Sequence, residues 1–399
     1  MSEAEVRAAY ERIRPYVIHT PLERSRTLSR MLGADIRLKC ENLQKTGSFK
    51  VRGALSRLLG MSAAERRRGV VAASAGNHAQ GVAYAASIAG AKATIVMPES
   101  AAIAKIEATR GYGAAVVLAG ADYAAAFHHA AALARRRRAT LVHAFDDDAV
   151  IAGQGTVGLE IVEDFPDVEI IVVPVGGGGL AAGILAAVAA RVRVIGAQSA
   201  RASTLRPSLR AGRRIASPPS PTLADGLATS GIGARAWRLL RRRLRRAAVV
   251  GEAEIAGAIL LLLERTKLVV EGAGATALAA CLGPLRRTIA DRRVVVVLSG
   301  GNIDVNVLDR ILNLGLAEQG RVFRFATVLS DRPGALSALS AVVAAVGANI
   351  KTIHHDRGRV GLGVLETLVT VELETRGPRH VPEIVRRLRA RGYRVIADD

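Results

Sequence analysis

The stretch E-I-I-V-V-P-V-G-G-G-G-L-A-A-G-I-L-A-A, Glu169 to Ala187, decides what kind of chain this is. From Ile170 to Ala190 the run carries no charge, and its length alone would suit a membrane span. Pro174 and the glycines Gly176, Gly177, Gly178 and Gly179 cut it in the middle, so it reads as strand, turn and helix. An apolar strand that turns straight into a helix is the unit of a parallel sheet covered by helices. Four successive glycines let backbone N–H groups converge on an anion, and the helix that follows points its positive end at the same spot. The other reading is that the glycines serve tight strand–helix packing. The loop lacks the G-K-S/T of a nucleoside-triphosphate loop. It fits G-x-G-x-x-G only loosely, with no acidic residue at a suitable distance. The expected ligand is therefore a phosphate ester other than a nucleotide.

Working outward, short β-branched runs alternate with alanine-rich ones from Asp35 to about Leu314. Strands are predicted at Asp35–Lys39, Gly69–Ala73, Ala93–Met97, Ala114–Leu118, Thr140–His143, Glu169–Pro174, Val192–Gln198 and Arg293–Leu298. Helices are predicted at Asn77–Ala89, Ala121–Arg138 and Leu180–Ala190. This alternation implies an α/β, doubly wound architecture with sites at the carboxyl ends of the strands. The proline- and serine-rich segment Arg206–Pro221 reads as a surface connection. After Gly320 the pattern changes to βαββαβ, in which Asp331 would cap a helix, Pro333 would sit in its first turn and Gly347 would end it. The expected organisation is 1–318 as one domain and 321–399 as a separate module.

Composition narrows the function classes. Half of the 399 residues are hydrophobic, which argues against disorder. Cys40 and Cys281 lie far apart with no C-x-x-C spacing, so two free buried thiols are expected. The net charge of +21 raises nucleic-acid binding. The arginine bunches at Arg135–Arg138 and Arg238–Arg246 fall at ends of predicted helices, where cations complement the dipole. With aromatics at 3% there is no base-stacking platform, so no nucleic-acid partner is expected. The opening Met1–Arg14 alternates charge like an amphipathic helix rather than a leader peptide, and a soluble, cytoplasmic protein without membrane contact is expected. The pairs His128-His129 and His354-His355 have no carboxylate at ligand spacing, so no catalytic metal is expected.

A second stretch carries the chemistry. In K-T-G-S-F-K-V-R-G-A, Lys45 to Ala54, Lys50 stands between Phe49 and Val51. It is either a lysine whose stem lies on an apolar strip with its head in water, or a buried amine of lowered pKa and hence a nucleophile and base. A buried amine together with a phosphate cradle points to pyridoxal phosphate, the aldehyde condensing with Lys50 while the glycine loop grips the phosphate. A-S-A-G-N-H-A-Q-G, Ala73 to Gly81, is a further strand-to-helix turn whose backbone donors and Ser74 hydroxyl can bind a carboxylate. L-S-G-G-N, Leu298 to Asn302, can offer Ser299 to a pyridine nitrogen.

Together K-T-G-S-F-K-V-R-G-A, S-A-G-N-H-A-Q-G, V-G-G-G-G-L, T-L-A-D-G and L-S-G-G-N resemble the threonine ammonia-lyases (threonine dehydratases), fold-type II pyridoxal phosphate enzymes of the tryptophan synthase β-like class. The C-terminal module with D-R-P-G resembles an ACT domain, and the resemblance implies a catalytic domain in two lobes, a smaller one of about 45–145 inserted in a larger one. The resemblance implies that Lys50 binds the cofactor and removes the Cα proton, and that Asn77 bonds the ring oxygen. It assigns the phosphate to Gly176–Gly179 and the pyridine nitrogen to Ser299. Ser74, Ala75, Gly76, Asn77 and His78 would hold the substrate, His78 as an orienting imidazole, with Gln154 and Thr156 lining the same cleft. The implied reaction converts L-threonine to 2-oxobutanoate and ammonia, and L-serine to pyruvate. A monovalent cation near Thr222–Gly226 is left open. The module at 321–399 would bind an effector such as isoleucine at a pairwise interface, through Asp331, Arg332, Pro333, Gly334, Asn349 and Ile350, in a homodimer or homotetramer. The alternatives weighed are a serine racemase or 3-hydroxyaspartate dehydratase-like enzyme and a non-catalytic amino-acid sensor. Against a racemase, Ala75 stands where that family carries a serine, and Gln198 and Thr204 where it carries carboxylates for a divalent cation.

Overall fold

The computed structural model describes residues Met1–Ala397, and the chain divides into two compact units, 1–303 and 304–399. The division falls before the helix Val305–Glu318, which the sequence reading places in the first domain.

Along the first unit run the strands β1 (Leu22–Arg24), β2 (Asp35–Cys40), β3 (Val70–Ala73), β4 (Ala93–Met97), β5 (Ala115–Leu118), β6 (Thr140–Leu141), β7 (Ile170–Pro174), β8 (Arg193–Ser199), β9 (Ala247–Val250) and β10 (Arg293–Leu298). They form a six-stranded sheet in the order β1-β2-β10-β7-β8-β9 and a four-stranded sheet in the order β5-β4-β3-β6. All pairings are parallel except that of the edge strand β1 with β2. The doubly wound expectation holds, with the smaller sheet lying between β2 and β7 in the chain. β7 is buried along its whole length, as a strand covered on both faces must be, and this is why its sequence shows no alternation. The following helix, Gly179–Ala187, is buried too and shares a core with Ile151, Val157 and Ile161 of the helix Asp148–Asp164.

Two strands escaped the sequence reading. Two of the three residues of β1 are charged, and β9 follows an arginine run that reads as the end of a helix. The segment Arg206–Pro221 is not purely a connection, because Leu205–Ala211 is helical and Gly212 closes it in the left-handed conformation. Buried Leu205 and Ser208 fix that turn against the core, a tertiary contact that local composition does not report. Among the described residues no helix is long and apolar enough to cross a membrane.

The second unit carries β11 (Val322–Ser330), β12 (Asn349–Asp356), β13 (Glu366–Glu374) and β14 (Ile396–Ala397) in one antiparallel sheet, ordered β12-β13-β11-β14. The helices Ala335–Ala345 and His380–Ala390 bury Leu339, Val343, Ile384 and Leu388 against Phe325, Val369 and Val371. This is the βαββαβ order read from the sequence. Asp331 does not cap the first helix. Gly334, at φ +91°, holds the cap position, and the Asp331 carboxylate accepts from Arg357 Nε at 3.0 Å. The helix starts beyond Pro333, because the turn before it is built on a glycine.

Candidate active site

Every segment that the sequence reading assigns to the cofactor sits at the carboxyl end of a parallel strand. The glycine loop follows β7, Ser299 follows β10, Lys50 opens the helix Lys50–Leu59 beyond β2, and Ser74–Asn77 lies between β3 and the helix Asn77–Ala89. The ends of the two sheets meet through neighbours of these residues. Phe49 N donates to Ser299 O at 3.1 Å, and a Cβ at Gly81 would lie 3.2 Å from the Lys50 carbonyl carbon.

Lys50 Nζ donates to Ala144 O at 3.2 Å and stands 5.0 Å from the centre of the Phe49 ring. Among the described residues no carboxylate is in ion-pair contact with it. The residue as a whole is half-buried, but its ammonium end lies deep. Loss of hydration brings that ammonium down to about 8, with Glu271 acting weakly the other way. Of the two readings left open by the sequence, the structure supports the desolvated amine.

The residue after Ala144 binds lysine and glycine loop together. A Cβ on Gly177 would collide with the Phe145 ring, and one on Gly179 would lie 2.9 Å from Phe145 O. The loop is thus packed from one side too tightly for any side chain. Among the described residues, nothing accepts from the N–H groups of Gly176, Gly177, Gly178 or Gly179, while Gly177 O and Gly178 O accept from Gly233 and Ala182. Packing thus fixes the loop, and its N–H groups are left free in the arrangement an anion cradle needs.

On the facing turn, Gly76 N donates to Ser74 Oγ at 3.1 Å, and no atom lies within 4 Å of where a Gly76 Cβ would stand. The N–H groups of Ala75, Asn77 and His78 find no acceptor among the described residues, so this turn is a second anion nest at a helix N-terminus. His78 is buried, its Nε2–H donating to Val142 O at 3.1 Å, and burial brings its pKa down to about 3. It is a neutral imidazole. Ser299 is 2% exposed and its Oγ has no partner among the described residues.

Gln154 and Thr156 lie against the helix that Lys50 opens. Gln154 Oε1 accepts from Gly53 N at 3.2 Å, and Thr156 Oγ1 accepts from Arg52 at 3.2 Å, both inside the contact of the Lys50–Leu59 and Asp148–Asp164 helices. Gln198 is engaged by backbone on every side, through Val175 O, Ala202 O and Leu205 N. Thr222 and Leu223 N bind Glu252 at 2.7 and 2.6 Å.

Two residues were missed. Glu271 opens the helix Gly272–Leu282, accepts from Asn77 Nδ2 at 2.7 Å, and has its carboxyl pushed up to about 7 by burial and by Asp225. Asn302 donates to Asn77 Oδ1 at 2.7 Å. The signal for Glu271 was the one that marked Lys50: a charge among apolar residues and glycines, in V-V-E-G-A-G.

The regulatory candidates lie within the second unit. Asp331, Arg332, Pro333 and Gly334 follow β11 at the end where Ser330 pairs with Glu366. Asn349 and Ile350 open β12 at the other end, Asn349 pairing with Glu374 and bonding it at 3.0 Å. One copy of the unit does not bring the two groups together.

The residues present fit pyridoxal phosphate: an anion cradle, a desolvated amine and an unpartnered hydroxyl. The comparisons agree. Residues 13–300 match the family described as pyridoxal-phosphate dependent enzyme. The L-threonine ammonia-lyase of Thermotoga maritima is 47% identical over 394 residues, covering 98% of each chain. The crystal structure of the T.th. threonine deaminase covers 76% of this chain and 99% of its own, at 43% identity and a TM-score of 0.72. Serine racemase from Dictyostelium discoideum has the same coverage and TM-score at 35% identity. With a desolvated lysine, a glycine loop whose N–H groups converge unpaired and this breadth of similarity, the chain belongs to the pyridoxal-phosphate dependent enzymes.

Proposed function

We propose that this chain is an L-threonine ammonia-lyase that also acts on L-serine. The observation that carries the chemistry is Lys50, an amine with lowered pKa, joined through Ala144 and Phe145 to the glycine loop. The relative from Thermotoga maritima, alike over nearly the whole chain, supports the choice of substrate.

Gly176–Gly179 would hold the phosphate, Ser299 the ring nitrogen and Asn77 the ring oxygen. Bound there, pyridoxal phosphate supplies an aldehyde for the substrate's amino group and a conjugated ring that accepts the electron pair left at Cα. The N–H groups of Ala75, Asn77 and His78, with Ser74, hold the substrate carboxylate. This orients the Cα–H bond toward Lys50 Nζ, which takes the proton as a general base working near its own pKa. The Ser299 hydroxyl is neutral and would not enforce protonation of the ring nitrogen, so charge would stay nearer Cα and the β-hydroxyl would leave as water, with the proton that Lys50 Nζ took from Cα. Tautomerisation and hydrolysis then yield 2-oxobutanoate from threonine, or pyruvate from serine, with ammonia. Ala75 has no proton to deliver to the opposite face of Cα, which favours elimination over racemisation.

The second unit is proposed as an ACT-type effector domain for isoleucine or a similar amino acid. The D-R-P-G turn and Asn349 stand at opposite ends of the sheet, separated by about 23 Å along β12 at the usual strand rise. Antiparallel pairing of β12 edges from two copies would set Asn349 of one against the Asp331 turn of the other, so the regulated form would be a homodimer or homotetramer. A cytoplasmic setting is part of the same proposal.

The deciding assay is 2-oxo acid formation by the purified holoenzyme from L-threonine and L-serine, with and without isoleucine. A yellow, cofactor-loaded protein that makes no 2-oxo acid from either substrate contradicts the proposal.

A further inference from the structure

Across the floor of the site runs a chain of hydrogen bonds that the proposed reaction does not account for. Asn302 Nδ2 donates to Thr46 O and to Asn77 Oδ1, each at 2.7 Å, and Asn77 Nδ2 donates to Glu271 Oε1 at 2.7 Å. The polarity of the chain is dictated from one end. A backbone carbonyl can only accept, so Asn302 must turn its NH2 group toward Thr46. That NH2 then faces Asn77, which must present its oxygen, and the Asn77 NH2 is left facing Glu271. At the other end a carboxylate, which also only accepts, demands the same orientation. Flipping Asn77 would set NH2 against NH2 on one side and oxygen against oxygen on the other.

The fold bends its backbone to build this chain. Thr46 is one of few non-glycine residues with positive φ, at +62°, followed by Gly47 at +69°. A Cβ on Gly47 would collide with Asn302 Oδ1, so the turn is shaped around the Asn302 side chain. Glu271 N donates to Gly300 O at 3.0 Å, and a Cβ on Gly300 would collide with Glu271 Oε1. Three separate segments are thereby closed around one carboxamide.

Resting on the reading of this site as a pyridoxal phosphate site, we propose that Glu271 and Asn302 are positioning residues that lock the Asn77 carboxamide in one orientation, with its second N–H kept for the cofactor. The charge on Glu271 makes the lock sensitive to pH. The groups that face it electrostatically are Asp225, Lys105 and Lys50. Lys105, on the helix Ile103–Gly111 beside the smaller sheet, pairs at 3.1 Å with Asp225, which lies beside the larger one, so the pair ties the two lobes and moderates the charge felt by Glu271.

The test uses the full-length protein stripped of cofactor and titrated with pyridoxal phosphate, following the visible band of the adduct on Lys50 from about pH 6 to 9, with the thermal midpoint of each variant as a control. E271A and N302A should weaken cofactor binding about tenfold or more, the scale set by loss of one charge-assisted or buried hydrogen bond. E271Q keeps an acceptor without a titrating charge. It should hold affinity within about threefold of the parent while flattening any pH dependence of the band near neutrality. Should E271A prove unfolded, E271Q and Asn302→Asp decide, the latter presenting only acceptors to Thr46 and Asn77. Unchanged affinity, band position and pH response in these variants overturn the proposal. So does a fall in thermal midpoint with no spectral change, which would make the chain mere packing. A parent protein that takes up no pyridoxal phosphate defeats the reading of the site itself, a result distinct from a yellow parent with indifferent variants.

Discussion

Lys50 was legible in the sequence as a charge in apolar company, but the sequence left two fates open and desolvation chose one. With its pKa near 8, cofactor uptake by the apoprotein should rise about tenfold per pH unit below pH 8 and level above it, because only the neutral amine condenses. Stopped-flow absorbance checks this, and a pH-independent rate would count against the desolvated amine. Lys50→Ala should lower 2-oxo acid formation by at least about a thousandfold, through loss of both covalent anchor and base. His78 and Glu271 make a paired prediction for the apoprotein. His78 is held near 3 against an ordinary 6.5, so the unfolded chain binds a proton that the native one refuses and stability falls as pH drops below 6.5. Glu271 is raised to about 7 from 4.5, so the native state binds the extra proton and stability falls as pH rises through that window. Between 4.5 and 6.5 the slopes oppose. His78→Gln should therefore expose a decline of up to about 1.4 kcal/mol per pH unit as pH rises there, measurable by urea unfolding at about pH 5 and 6.

At the scale of elements, the glycine loop shows why a motif is both packing and chemistry. Gly177→Ala drives a methyl group into the Phe145 ring and should cost about 1–3 kcal/mol of stability as well as phosphate affinity. Phe145→Leu in the same chain should recover part of the stability, which differential scanning calorimetry can register. The helix carrying Lys50 is anchored by a buried quartet. Arg52 forks between Glu41 at 2.7 Å and Glu160 at 2.6 Å, and Lys39 meets Glu160 at 2.7 Å. All four are fully buried and their charges sum to zero. Arg52→Met leaves two carboxylates facing one lysine and should destabilise by about 3–5 kcal/mol. Arg52→Lys should rescue little, since an ammonium cannot fork between two carboxylates. A normal melting curve for Arg52→Met would refute this. The quartet draws on segments far apart in the chain, so it could not be read from the sequence.

For the whole molecule, the similarity pattern separates a core from an addition. The T.th. threonine deaminase structure matches 76% of this chain and 99% of its own length, while the Thermotoga maritima relative extends over 98% of both. Removing residues 304–399 should leave a cofactor-binding, threonine-deaminating protein that has lost its response to isoleucine and part of its self-association. Kinetics with effector and sedimentation measurements test the two halves of that expectation. An unchanged effector response after truncation would place regulation in the first unit.

The sequence by itself determined the alternation of strand and helix and the turns at which glycines end the strands, because glycines, apolar runs and isolated charges act locally on the backbone. What depends on neighbours distant in the chain escaped it: Asp331 gave up its cap to Gly334, and Glu271 and Asn302 went unread. Only the tertiary structure decided those, since burial and hydrogen-bond polarity belong to the space between elements. The same local residue is lining, lock or filler according to what the fold sets against it.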